Sequence, residues 1–110
     1  MSSELVKRLS KGKHEVIIVT RNESYEEVKQ RIENGYIHIK FIKTRGGTEL
    51  GINIDLNNTN IKGLKSNDNN GLFHIEGVTN LNYIAVRCVA NIDLVTRKGE
   101  GYLQIIEEED

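Results

Sequence analysis

The alternation of apolar and polar residues changes period several times along the chain, and each change marks an element. Leu5, Val6 and Leu9 form an apolar stripe at helical spacing. With Ser2 or Ser3 as cap, Glu4 in the first turn and Gly12 beyond the end, they predict a short helix over 3–11. A helix of that length is marginal by itself and has to dock. Residues 14–21 read as a strand. Its centre, Val16-Ile17-Ile18-Val19, is an unbroken β-branched run, which points to burial on both faces. Next comes Ser24-Tyr25-Glu26-Glu27, a capping box with Ser at the cap and Glu three residues on. Tyr25, Val28 and Ile32 share one face, and Asn34-Gly35 ends the turn, so a helix is predicted over 24–34.

Beyond Gly35 the period falls to two. Ile37, Ile39 and Phe41 alternate with Tyr36, His38 and Lys40 in a strand over 36–44, and Arg45-Gly46-Gly47 signals a hairpin. Leu50, Ile52, Ile54 and Leu56 then face one way, with Glu49, Gly51, Asn53 and Asp55 facing the other. Residues 57–60 form a loop, 61–64 a short edge strand, and 66–71 a loop rich in Asn, Asp and Gly. A strand over 72–78 sets Phe73 and Ile75 against His74 and Glu76, and Thr79-Asn80 turns the chain. The longest periodic run follows. Ile84, Val86, Cys88, Ala90, Ile92 and Leu94 lie on one face of a strand near 14 residues, long enough to require a bend or strong twist. Arg97-Lys98-Gly99-Glu100-Gly101 makes the last turn, and 102–106 the last strand.

Connections of hairpin length demand antiparallel pairing. The expectation is one α+β domain over residues 1–110. A strongly curved, mainly antiparallel sheet of five to seven strands packs on the one capped helix, with a short N-terminal helix beside it. Residues 107–110, all acidic, form a frayed tail.

Composition adds three points. The 14 isoleucines fall mostly on strand positions and the 12 asparagines mostly on turns and wet strand positions, in a chain with no proline and no tryptophan. The longest apolar run, Val16 to Val19, is far short of the roughly 18 residues that span a bilayer. Cys88 is the single cysteine, so an internal disulfide is excluded. With no apolar segment following the basic residues of 1–12, a cytoplasmic setting is expected and no membrane association.

The candidate chemistry lies on the polar sheet face. His38, His74 and Glu76 converge there if their strands are neighbours, and a histidine beside a carboxylate can act as a general base. The competing reading is a solvated face with cross-strand charge pairs. Tyr36, Ile42, Tyr83, Ala85 and Val89 leave apolar patches on this face, and with His38, Lys40 and Arg87 they mix aromatic, aliphatic and cationic surface, the composition of interface cores. The alternative is that the first helix covers the patch with Leu5, Val6 and Leu9. Basic clusters at Lys7, Arg8, Lys11, Lys13 and Arg21, and at Lys40, Lys43 and Arg45, raise the question of nucleic acid. The net charge of −1 and the single aromatic free for stacking, Tyr36, argue against such a partner. No metal or other cofactor is expected, since one Cys and three scattered His are a poor ligand supply. Cys88 faces the core and away from Arg87, so it reads as a small hydrophobe and not a nucleophile.

Two functions fit. The first is a small non-enzymatic binding, accessory or regulatory protein that works through its sheet surface. A protein partner, or self-association through the long late strand at a sheet edge, goes with it. The second is a small enzyme or ligand-binding barrel, in which His38, His74, Glu76, Tyr83 and Arg87 line a cleft for a small molecule.

Overall fold

A computed structural model describes residues 4–21, 25–44, 46–59 and 72–107. The caps at Ser2, Ser3 and Ser24, the Arg45 position of the first hairpin, the strand at 61–64, the loop at 66–71 and the end of the acidic tail lie outside the described residues. In chain order the elements are α1 (Glu4–Leu9), β1 (His14–Val19), α2 (Tyr25–Glu33), β2 (Tyr36–Phe41), β3 (Thr48–Ile54), β4 (Phe73–Leu81), β5 (Ile84–Ile92) and β6 (Lys98–Glu107).

The six strands close into an antiparallel barrel in sequence order, with β6 returning to β1. This corrects the expected α+β arrangement of a curved sheet packed on a capped helix. Alternation tells which side chains share a face, but not whether the first and last strands meet. Here they do: His14 pairs with Gly101 and Ile17 with Lys98. The strand expected at an edge, β5, is therefore hydrogen-bonded on both sides, to β4 and β6. The longest ladders run through it. The seam between β3 and β4 is the shortest, limited to Asn53 with Val78 and Ile54 with Gly77.

The inward positions are those that alternation selects. Val16 and Ile18, then Ile37, Ile39 and Phe41, then Leu50, Ile52 and Ile54, and on β5 Ile84, Val86, Cys88, Ala90 and Ile92 are all buried. The β1 run is different from expectation. Val16 and Ile18 are buried, but Ile17 and Val19 point outward and are only half-buried. Ile17 stands between Lys40 of β2 and Lys98 of β6, whose hydrocarbon stems suit such a neighbour.

Neither helix underlies a sheet. Helix α1 leads into the start of β1, and α2 connects the end of β1 to the start of β2, so connectivity places them at opposite ends of the barrel. Val6 and Leu9 of α1 and Val28 and Ile32 of α2 join the barrel core as fully buried side chains. Each such burial contributes about 2 kcal/mol. The predicted end of α2 is as expected: Gly35 takes φ +84° and its N–H bonds the Ile32 carbonyl at 3.0 Å.

Four boundaries shift. The chain leaves β2 at Phe41, and Thr44 Oγ1 donates to the Phe41 carbonyl (3.1 Å) to start the turn. Leu56, expected on the core face, follows the end of β3 and is exposed. The β4–β5 turn sits at Asn82-Tyr83, with φ +50° and +67°, and not at Thr79-Asn80. It cuts the expected long strand to 84–92 and takes Tyr83 off the sheet face. The last turn spans Leu94 to Arg97. There the Asp93 carboxylate accepts from the Val95 and Thr96 amides, and the Asp93 carbonyl from Arg97 (2.7 Å). Gly99 and Gly101 belong to β6 itself. Both face inward, and their missing side chains let β5 approach β6 closely.

Tyr83 occupies a left-handed conformation that costs a bulky residue roughly 1–2 kcal/mol. Tyr83→Gly should therefore raise stability by about 1 kcal/mol, which is a rise of roughly 5 °C in Tm for a domain of this size. Thermal denaturation by circular dichroism measures it; an unchanged or lower Tm would show that the turn is unstrained.

Among the described residues no helix is long and apolar enough to cross a membrane.

Candidate functional site

With the interior filled by apolar side chains, the polar chemistry lies on the outer wall, and it forms two separate groups. The first sits on β2 and β3. His38 Nδ1 lies 3.1 Å from Glu49 Oε2, and Tyr36 meets the His38 ring edge-on at 5.3 Å. The Tyr36 side chain lies across Gly51, the residue that pairs with His38. Lys40 follows on the same face and its stem covers Gly47. The exposed edge of this group is Tyr36, at 43% of its free surface.

The second group spans the end of β3, β4 and β5. His74 Nε2 lies 2.7 Å from Glu76 Oε2, and His74 Nδ1 lies 3.0 Å from Asn91 Oδ1. Arg87 Nη1 donates to the other Glu76 oxygen (3.3 Å) and to Asp55 Oδ2 (3.2 Å). Asp55 also accepts from the Asn58 amide group (2.7 Å) and the Asn57 backbone N–H (3.1 Å). Thr59 Oγ1 bonds both the carbonyl and the N–H of Glu76. Side chains of this group are roughly one quarter to two fifths exposed, so each ion pair contributes little alone, and the strength lies in the connected set.

The sequence brought His38, His74 and Glu76 into one conditional cluster. The structure joins His74 to Glu76 and adds Arg87, while His38 sits on β2 with Glu49, and β3 stands between the two groups. Tyr83 belongs to neither. It projects from the β4–β5 turn with 99% of its surface exposed. Glu49, Asn58, Thr59 and Asn91 complete the two groups without having been singled out. Cross-strand partners depend on register, which alternation does not encode. The Asp55 loop did carry a signal, because Asp55-Leu56-Asn57-Asn58-Thr59 is suited to side-chain-to-backbone turns.

Electrostatics follow from these contacts. The Asn58 hydrogen bond, followed by Arg87, holds the Asp55 carboxyl below its usual 3.8 against an opposing desolvation. Its stabilising contribution is therefore present above pH 3.8 and is lost as pH falls through the lowered value. The Glu76 and Asn91 contacts raise His74 above 6.5. Burial pushes the Cys88 thiol up to about 12, which leaves no thiolate at neutral pH and makes it chemically inert in the folded barrel.

At the α1 end of the barrel a half-open depression of about 250 Å³ is lined by Glu4, Leu5, Arg8, Thr44 and Thr48. Its Thr44 and Thr48 hydroxyls bond each other at 2.7 Å. It lies beside the β2–β3 turn, at the other end of the barrel from His74. Among the described residues no group of three His, Cys, Asp or Glu is arranged to hold a metal ion. The chain matches no protein-family model, and no curated protein shows significant similarity to it.

Proposed function

We infer that the protein is a non-enzymatic binding module that contacts another protein through the outside of its barrel, and that a second copy of the chain is such a partner. The observation that supports this is Tyr83. A tyrosine wholly exposed at a turn tip, in a backbone conformation better suited to glycine, is destabilising for the fold and useful to a partner. Tyrosine is a preferred anchor of interfaces because it offers a rigid amphipathic ring at low entropic cost. Ile105 and Ile106, both exposed, lie at the same end of the sheet, where Val86 pairs with Ile105 and Ala85 with Glu107. A two-fold dimer would bury this apolar end against the same end of the second copy.

The enzyme reading draws on the 2.7 Å contact between His74 and Glu76. Against it, each Glu76 oxygen is already engaged by a cation, and no hydroxyl or thiol nucleophile stands within reach of His74 among the described contacts. The group supports structure better than turnover.

Sedimentation velocity over a concentration series tests the binding reading. The wild type should associate as concentration rises, and Tyr83→Gly should stay folded but monomeric. A wild type that is monomeric at every concentration, or a variant that associates equally well, overturns it.

A further inference from the structure

His74 is the one histidine whose two ring nitrogens both face side-chain oxygens, a carboxylate at 2.7 Å and an amide oxygen at 3.0 Å. Only an imidazolium can donate to both. A neutral ring keeps one donor, and its other nitrogen can then be met only if the Asn91 amide turns its NH2 toward it. The consequences travel along shared atoms. Glu76 is held by His74 through one oxygen and by Arg87 through the other, and Arg87 in turn holds Asp55. Asp55 fixes Asn57 and Asn58, and Thr59 fastens the same stretch to the Glu76 backbone.

We propose that His74, Glu76, Arg87 and Asp55 form a proton-operated clamp that fastens the segment after β3, Asp55 to Thr59, onto strand β4. With His74 charged, the set holds two cations and two anions. With His74 neutral, one guanidinium serves two carboxylates. Glu76 then draws Arg87 from Asp55, and the segment loosens. His74 contacts Glu76 on its own strand and the uncharged Asn91 on β5. Arg87 on β5 and, through it, Asp55 after β3 connect to it by way of Glu76, and Glu100 on β6 is the register partner of Asn91. The acidic members outnumber the single cation, so the surroundings favour the charged ring. The raised protonation equilibrium of His74 gives the direction: its contribution is fully present below pH 6.5 and is lost as pH rises through the folded-state value. Leu56, exposed in the middle of the clamped segment, is the residue whose presentation would change.

The test is an NMR titration of the full chain, following the His74 ring shifts and the amide-exchange protection of Asn57, Asn58 and Thr59. The His74 midpoint should lie above 6.5, and protection at the three amides, corrected for intrinsic exchange, should fall several-fold through that same midpoint. In His74→Gln the protection step should vanish, and in Glu76→Gln the His74 midpoint should drop. A midpoint at or below 6.5, protection that is flat through it, or the same step in His74→Gln overturns the clamp. A midpoint that stays put in Glu76→Gln overturns the assignment of Glu76 as its partner. If His74→Gln does not fold, the Glu76→Gln titration and the wild-type protection profile still decide the matter. None of these readouts depends on whether the chain self-associates.

Discussion

Phe41→Ala should destabilise the fold by about 4 kcal/mol, measured as a shift of the urea midpoint at unchanged slope. Phe41 is the largest fully buried side chain in the barrel. It points inward from the end of β2, paired with Val16 on one side and Thr48 on the other, with the His14 ring edge-on to it at 6.3 Å. Removing it leaves a void at the end of the barrel nearest the β2–β3 turn. The walls there are two hydrogen-bonded ladders and cannot collapse inward as isolated side chains would. A loss below about 1 kcal/mol would mean that α1 moves in to fill the space.

Gly99→Ala is the second large effect, expected at about 3 kcal/mol, near the upper end for forcing atoms into a packed site. A β-carbon on Gly99 would run into the Asn91 carbonyl oxygen and lie 2.6 Å from the Ile92 Cα. Those are backbone atoms of the paired strand, so nothing flexible can give way. The strand itself must move, and Gly99 also pairs with Val16 of β1. The variant should therefore lose amide protection at the β5–β6 seam first, in hydrogen exchange. Gly101→Ala, whose added carbon meets its neighbours at 3.0 Å, should cost clearly less. Equal losses at the two positions would show that the close approach of β5 at Gly99 does not set the cost.

These two residues illustrate what was legible. Phe41 was placed on the core face by alternation alone, as were Ile37, Ile39, Leu50, Ile52 and the whole inward set of β5, because a strand periodicity of two is a direct statement about faces. Gly99 was read as a turn glycine. Glycine in a turn and glycine in a crowded strand look alike in sequence, and only the approach of another backbone separates them. That single ambiguity hides the closure in the sequence, since a last strand that begins after Gly101 leaves out residues 98–101, the ones that pair with β1. Tyr83 was placed on a strand for a similar reason. Asn82-Tyr83 lacks the glycine that normally announces a tight hairpin turn, and apolar residues on either side continued the alternation. In the polar group, His74 and Glu76 were legible as i, i+2 on one face. Arg87 and Asn91 joined them through register with β5, and the loop partners of Asp55 through a turn whose geometry is local but whose target is not.

Closure of the barrel by its first and last strands also governs how the chain is made. Val16-Ile17-Ile18-Val19 is uncharged, β-branched and extended, the kind of segment that pairs with any open strand it meets. Its partners on one side, Lys98 to Gly101, leave the ribosome about eighty residues later. Throughout synthesis β1 is an edge with its backbone unpaired on that flank. The C-terminal strand is thus the cover for the most adhesive stretch of the nascent chain, and a polypeptide that stops short of residue 98 carries that stretch uncovered.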